Sequence, residues 1–156
     1  MNQFDVIVVG AGTSGMMAAI AAAKAGGRTL LIEKNKRVGK KLLLTGGGRC
    51  NVTNNRPADE IIAHIPGNGK FLYSAFSQFT NYDIMEFFES NGVHLKEEDH
   101  GRMFPVTDRS KTIVDALKQQ LEQLQVTLFT EAKVEKLLHK EQQIIGVALA
   151  DQKVYA

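Results

Sequence analysis

The chain has 156 residues, with 44% hydrophobic and 23% charged side chains, which suits an ordinary globular protein with one sizeable core. Its formal net charge of +2 is too small to argue for a nucleic-acid or anionic-membrane partner, and neither is expected. The single cysteine, Cys50, excludes an internal disulfide framework and fits a reducing, cytoplasmic setting. The longest apolar stretch, residues 16–23, is far short of the ~20 residues of a membrane span. Glycines also interrupt the N-terminal apolar run where a signal peptide needs its cleavage region, so no leader is expected.

Phe4 to Val9 is apolar on both parities except for Asp5, as in a central parallel strand covered on both faces. An alanine-rich helix follows, from Met16 to Ala25, stopped by Gly26-Gly27. Arg28 to Glu33 reads as a second strand. Further on, residues 70–79 place Phe71, Ala75 and Phe79 on one helical face, and Asn81 is expected to cap a helix that ends at Asn91-Gly92. The Phe71/Phe76/Phe79 and Phe87/Phe88 groups are expected in a hydrophobic core. His94 to Phe104 reads as a hairpin turning at Glu97 to Gly101. Ser110 to Leu124 is an amphipathic helix with Ile113, Leu117, Leu121 and Leu124 in one stripe. Val126 to Phe129 is a third short strand, and three antiparallel strands starting near Val134, Ile144 and Val154 form a meander.

Between the first strand and its helix lies Gly10-Ala11-Gly12-Thr13-Ser14-Gly15. Gly10 allows a tight turn, Gly12 lets a pyrophosphate approach the backbone, and Gly15 lets helix and strand pack closely. The helix N-terminus beyond them, at Thr13 and Ser14, offers free N–H groups and a positive dipole end to phosphates. Glu33 lies 18 positions after Gly15, where a carboxylate can accept hydrogen bonds from an adenosine ribose. Strand, turn, helix, second strand and acid together predict a dinucleotide site, without choosing between FAD and NAD. Glu33 argues against a 2′-phosphate, since two unit charges at ~4 Å repel by roughly 4 kcal/mol at an effective dielectric of ~20. A basic run follows, Lys34, Lys36, Arg37, Lys40 and Lys41, of which Lys34, Lys36 and Arg37 read as a solvated loop with one or two side chains turned to the pyrophosphate.

Thr45-Gly46-Gly47-Gly48-Arg49-Cys50-Asn51 tilts the choice toward a flavin. Three glycines in a row remove every Cβ, so backbone N–H groups can form a concave site, and Arg49, Asn51, Thr53 and Asn54 add donors. FAD is long enough to need such a second segment, whereas an NAD site does not call for it. Cys50 lacks a second cysteine for a dithiol relay and is expected to pack beside the cofactor. The four histidines show no metal-ligand spacing, and no metal site is expected. No catalytic acid, base or nucleophile can be named.

These residues carry a resemblance. The Gly10 to Gly15 turn, Glu33, the run from Gly39-Lys40-Lys41 through Thr45 to Asn54, and Gly101-Arg102-Met103-Phe104-Pro105 resemble the bacterial FAD-binding flavoproteins that include aminoacetone oxidases and flavin reductases of bile-acid dehydroxylation. The resemblance implies a glutathione-reductase-like FAD/NAD(P)-binding three-layer α/β domain with a parallel sheet and a β-meander. It implies non-covalent FAD along Thr45 to Asn51, with Lys34 and Lys41 among the cofactor contacts and the Val134 backbone at the adenine. NAD(P)H is a candidate reductant, and the substrate is an unidentified small molecule. It also implies a further parallel strand, a substrate domain and a C-terminal return beyond Ala156. The 156 residues are therefore expected to be the N-terminal, cofactor-binding portion of an oxidoreductase, incomplete at the C-terminus. The alternative is a non-catalytic or truncated nucleotide-binding module.

Overall fold

The computed structural model describes residues 3–150 and 153–155. They fall into two compact units, residues 1–42 with 117–156, and residues 43–116.

In the first unit, β1 (Val6–Val9), β2 (Thr29–Ile32) and β6 (Thr127–Phe129) form a parallel sheet in the order β1-β2-β6. Helix α1 (Thr13–Lys24) connects β1 to β2 and buries Met16, Ala19 and Ile20. Its small residues give a close approach to the sheet, with Val8 beneath Gly15. The antiparallel meander of β7 (Val134–Lys140), β8 (Gln143–Leu149) and β9 (Lys153–Tyr155) covers the other face. Phe4, Leu30, Ile32, Val147, Leu149 and Val154 form the core there, with Ile7 packed against it. Alternation along a strand sends neighbours to opposite faces, so Ile7, Leu30 and Ile32 serve the meander while Val8 faces α1. Helix, parallel sheet and meander make three layers, as the resemblance implied. The central place, however, belongs to β2, whose four residues are all buried. Among the described residues β1 is an edge strand, half-buried and ending at an exposed Val9.

The second unit is built on an antiparallel sheet, β3 (Thr53–Asn54), β5 (Arg102–Pro105) and β4 (Leu95–Glu98), with β5 in the middle. The predicted hairpin is β4-β5, turning through residues 99–101. Around it lie α2 (Ala58–Ala63), α3 (Tyr73–Gln78) and α4 (Asn81–Ser90), while α5 (Ser110–Gln123) starts in this unit and ends in the first. Phe87 and Phe88 pack edge to face with centroids 5.1 Å apart, and both are buried as expected. Two expectations need correction. Phe71 and Phe79 are 79% and 47% exposed, because helical order in residues 70–79 is broken into a 3-10 turn and the short α3, and no stripe forms. The cap of α4 is Thr80, not Asn81. Thr80 Oγ1 accepts from the Asp83 N–H, and the Asp83 carboxylate accepts from the Thr80 N–H in return. Asn81 is instead buried and donates to the carbonyls of Asn54 and Arg56, tying α4 to the end of β3 and the chain just after it.

Candidate functional site

The glycine turn and Glu33 converge at the C-terminal end of β2 in the first unit. Gly10 has φ +97°, a conformation that favours glycine, and its N–H donates to the Ile32 carbonyl at 2.7 Å. A Cβ on Gly15 would lie 1.8 Å from the Gly10 carbonyl oxygen, so this position requires glycine for strand and helix to touch. Around Gly10 and Gly12, by contrast, nothing lies within 4 Å of where a Cβ would sit. Gly12 is the N-cap of α1 and gives no side-chain cap, and Gly12, Thr13 and Ser14 are exposed. An uncapped, exposed helix N-terminus behind an open glycine turn fits a diphosphate.

Glu33 is 8% exposed and does structural work as well. One carboxylate oxygen accepts from the Ala11 N–H at 2.8 Å, and the other accepts from the Asn35 N–H at 2.8 Å and from the Asn35 amide. Burial pushes its pKa up, but those donors and the nearby Lys34 together hold it below the usual carboxylate value. A carboxylate offers about four lone-pair sites, so three internal donors leave roughly one for a ribose hydroxyl. Val134, at the start of β7, packs against the core that contains Ile32. The Glu33 carbonyl also accepts from the Ala132 N–H, which brings the meander's entry to the same strand end. Lys34 and Lys41 are exposed on the loop that follows.

The second unit holds the other predicted segment. Leu42–Gly48 is kinked at Thr45, which is extended, and Gly46 and Gly47 follow at φ +55° and +65°. Gly48 and Cys50 continue with positive φ. A Cβ on Gly46 would meet the Asn51 N at 2.9 Å and the Phe104 ring at 3.3 Å, whereas Gly47 and Gly48 face open space. One side of the loop is thus packed and the other is open. Cys50 is buried, its N–H donates to the Thr45 carbonyl, and burial pushes its thiol pKa up, which suits packing better than nucleophilic work. Asn51 is exposed.

Arg49 is engaged by its own unit. Its guanidinium donates to both oxygens of Glu98, at 2.8 and 3.2 Å, reaches Asp108 at 3.3 Å, and stacks 4.3 Å above the Phe104 ring. Asn54 likewise donates to the His100 carbonyl and accepts from the Arg56 N–H. Sequence reasoning missed the Glu98 and Asp108 partners, which lie 49 and 59 positions away from Arg49. The one signal was the acidic run at residues 97–99, read only as a hairpin tip. Phe104 of the Gly101 to Pro105 element is therefore the platform under both Gly46 and Arg49.

A cavity of about 560 Å³ in the second unit is lined by Asn54, Arg56, Glu60, Ile61, His64 and His100. Of the residues predicted toward the cofactor it includes only Asn54. Among the described residues no group of His, Cys, Asp and Glu is placed to hold a metal, and no helix is long and apolar enough to cross a membrane.

Residues 4–156 match the family described as HI0933-like protein Rossmann domain. A ribosomal RNA dihydrouridine synthase of Escherichia coli is 37% identical over 134 residues, which cover 86% of this chain and 33% of that protein. A 3-dehydro-bile acid delta(4,6)-reductase of Clostridium scindens is 34% identical over 139 residues, covering 88% of this chain and 33% of the relative. The chain thus spans about a third of the length of these curated relatives. Among solved structures, a 3-ketosteroid-delta4-(5alpha)-dehydrogenase of Rhodococcus jostii superposes with a TM-score of 0.75 over 99% of this chain and 44% of that one, at 16% identity, a likeness of fold. The chain belongs to the HI0933-like family and forms its FAD-binding Rossmann domain.

Proposed function

We propose that this chain is the cofactor-binding part of an FAD-dependent reductase that saturates a carbon–carbon double bond conjugated to a carbonyl. The observation that carries the cofactor half is the Glu33 carboxylate bonded to the backbone of the glycine turn at the end of β2. In this reading Gly10, Gly12, Thr13, Ser14 and Gly15 take the diphosphate, with Lys34 and Lys41 adding charge. Glu33 takes a ribose hydroxyl, and the Val134 backbone meets the adenine. Thr45, Gly46, Gly47, Gly48, Cys50 and Asn51 lie along the flavin, and Arg49 holds that loop in shape through Glu98, Asp108 and Phe104. The bound flavin supplies hydride chemistry, and the protein supplies position, exclusion of water and electrostatics.

The reaction class is supported by two relatives whose names both describe hydrogen added across a double bond, a dihydrouridine synthase and a delta(4,6)-reductase. The two substrates share a π-bond made electrophilic by a carbonyl. A uridine carried on RNA is the favoured substrate, since relatives from Escherichia coli and Haemophilus influenzae, at 37% and 29% identity, both carry that name. This departs from the expectation of a small-molecule substrate and no nucleic acid.

The test uses the full-length protein. Its released ligand is chromatographed after denaturation, and the anaerobically reduced protein is mixed with RNA, whose uridines are assayed by mass for a gain of two hydrogens. FAD and saturated uridine are expected. Release of FMN or a nicotinamide nucleotide overturns the cofactor assignment, and FAD with no double bond reduced overturns the reductase reading in favour of a nucleotide-binding module.

A further inference from the structure

The net charge of the chain conceals a strong asymmetry. The first unit carries twelve Lys and Arg against seven Asp and Glu, a surplus of five positive charges. The second carries seven against ten, a surplus of three negative charges. Five of the first unit's cations lie within eight residues, Lys34, Lys36, Arg37, Lys40 and Lys41, with no acidic residue among them. All five are exposed, and none forms an ion pair among the described residues.

The loop that presents them is anchored. Val38, in its middle, is buried at 6% exposure, and the Gly39 N–H donates to the Ala11 carbonyl at 2.8 Å. The Asn35 side chain is bound to Glu33, and the Asn35 carbonyl accepts from the Glu131 N–H. Fixed backbone with exposed cations is a preorganised anion surface. A diphosphate carries about two negative charges at neutral pH, which Lys34 and Lys41 can match. Three cations, Lys36, Arg37 and Lys40, are left over.

We infer that Lys36, Arg37 and Lys40 form a docking surface for the phosphate backbone of the RNA that carries the substrate base. The inference rests on the reductase reading with a uridine substrate. Point charges on an anchored loop, without interleaved aromatic side chains, suit phosphate contacts that position a polymer rather than read its sequence.

Binding of the full-length protein to a fluorescein-labelled RNA hairpin of mixed sequence, followed by anisotropy across a KCl series, tests it. The triple variant Lys36→Gln, Arg37→Gln, Lys40→Gln should lower affinity by about tenfold or more and flatten the log–log salt slope by about two to three. Its flavin absorbance should equal that of the unaltered protein. A charge-matched control, Lys118→Gln, Lys136→Gln, Lys140→Gln, should change the slope by much less. Equal loss in both triples, no loss in the first, no RNA binding by the unaltered protein, or loss of FAD from the first triple each overturns the inference. So does binding to phosphatidylglycerol vesicles that exceeds RNA binding and is abolished by the same triple. Dihydrouridine formed at an unchanged rate by a variant with unchanged RNA affinity sinks the docking surface and leaves the reductase reading standing. Normal docking without any reduction sinks the reductase reading instead.

Discussion

Gly12 and Gly15 sit three residues apart and have different tasks, which substitution should separate. A Cβ at position 15 would overlap a backbone carbonyl at 1.8 Å, so Gly15→Ala must push α1 off β1 and cost both stability and FAD. A Cβ at position 12 meets nothing, so Gly12→Ala should leave the melting temperature within a degree or two and still weaken FAD binding by filling the phosphate approach. Thermal melts of the apoproteins and FAD titrations distinguish the two. At Glu33 the effects merge. Glu33→Ala removes the proposed ribose acceptor and orphans the Ala11 and Asn35 donors, each charge-assisted bond being worth about 1.5–3 kcal/mol. FAD affinity should fall at least tenfold, and by more than in Cys50→Ala, whose side chain is buried with a hydrogen bond to Thr45. A Cys50→Ala protein that keeps its flavin but loses turnover would contradict that assignment.

At the scale of elements, the sequence disclosed what backbone geometry demands and hid what tertiary partners decide. The turn at Gly10 to Gly15, the β4-β5 hairpin and the stripe of α5 were legible because glycine placement and periodicity write local conformation directly. Thr80 against Asn81 was not legible. Both are good caps, and the choice was made by Asn54 and Arg56, whose carbonyls claim the Asn81 amide. Thr80→Ala should therefore destabilise the fold by about 1 kcal/mol, read by denaturant unfolding. The clamp on Arg49 was equally hidden, since nothing local links it to Glu98 or Asp108. Asp108 is held below the usual carboxylate value chiefly by the Lys96 ammonium, then by Arg49. A carboxyl with a lowered folded pKa binds fewer protons than in the unfolded chain, so its contribution is complete above the unfolded value near 4 and fades as pH falls through the folded value. Stability should thus be flat with respect to this group at neutral pH and decline below about pH 4. Asp108→Asn should flatten part of that acid limb, a small change because these side chains are partly exposed.

The behaviour of the 156 residues as a molecule turns on β1. A strand of Val and Ile, apolar on both parities, is suited to a covered position, yet among the described residues it pairs only with β2 and leaves its other edge open. Unpaired N–H and C=O groups along an apolar strand are a template for another strand. Exposed side chains in the second unit add to the same tendency, with Leu44 at 76% and Phe71 at 79%. The isolated chain should therefore self-associate, and sedimentation at rising concentration should show species heavier than 17.2 kDa. Val9→Lys puts a charge on the open edge at a position already 54% exposed, so it should shift the distribution toward monomer without unfolding the β2 core. The glycine turn hangs from β1, so loosening of that strand also loosens the proposed diphosphate site. The isolated chain should bind FAD more weakly than the full-length protein does. A monomeric 156-residue chain with the full-length protein's affinity for FAD would show that β1 is held well enough by β2 and α1 alone.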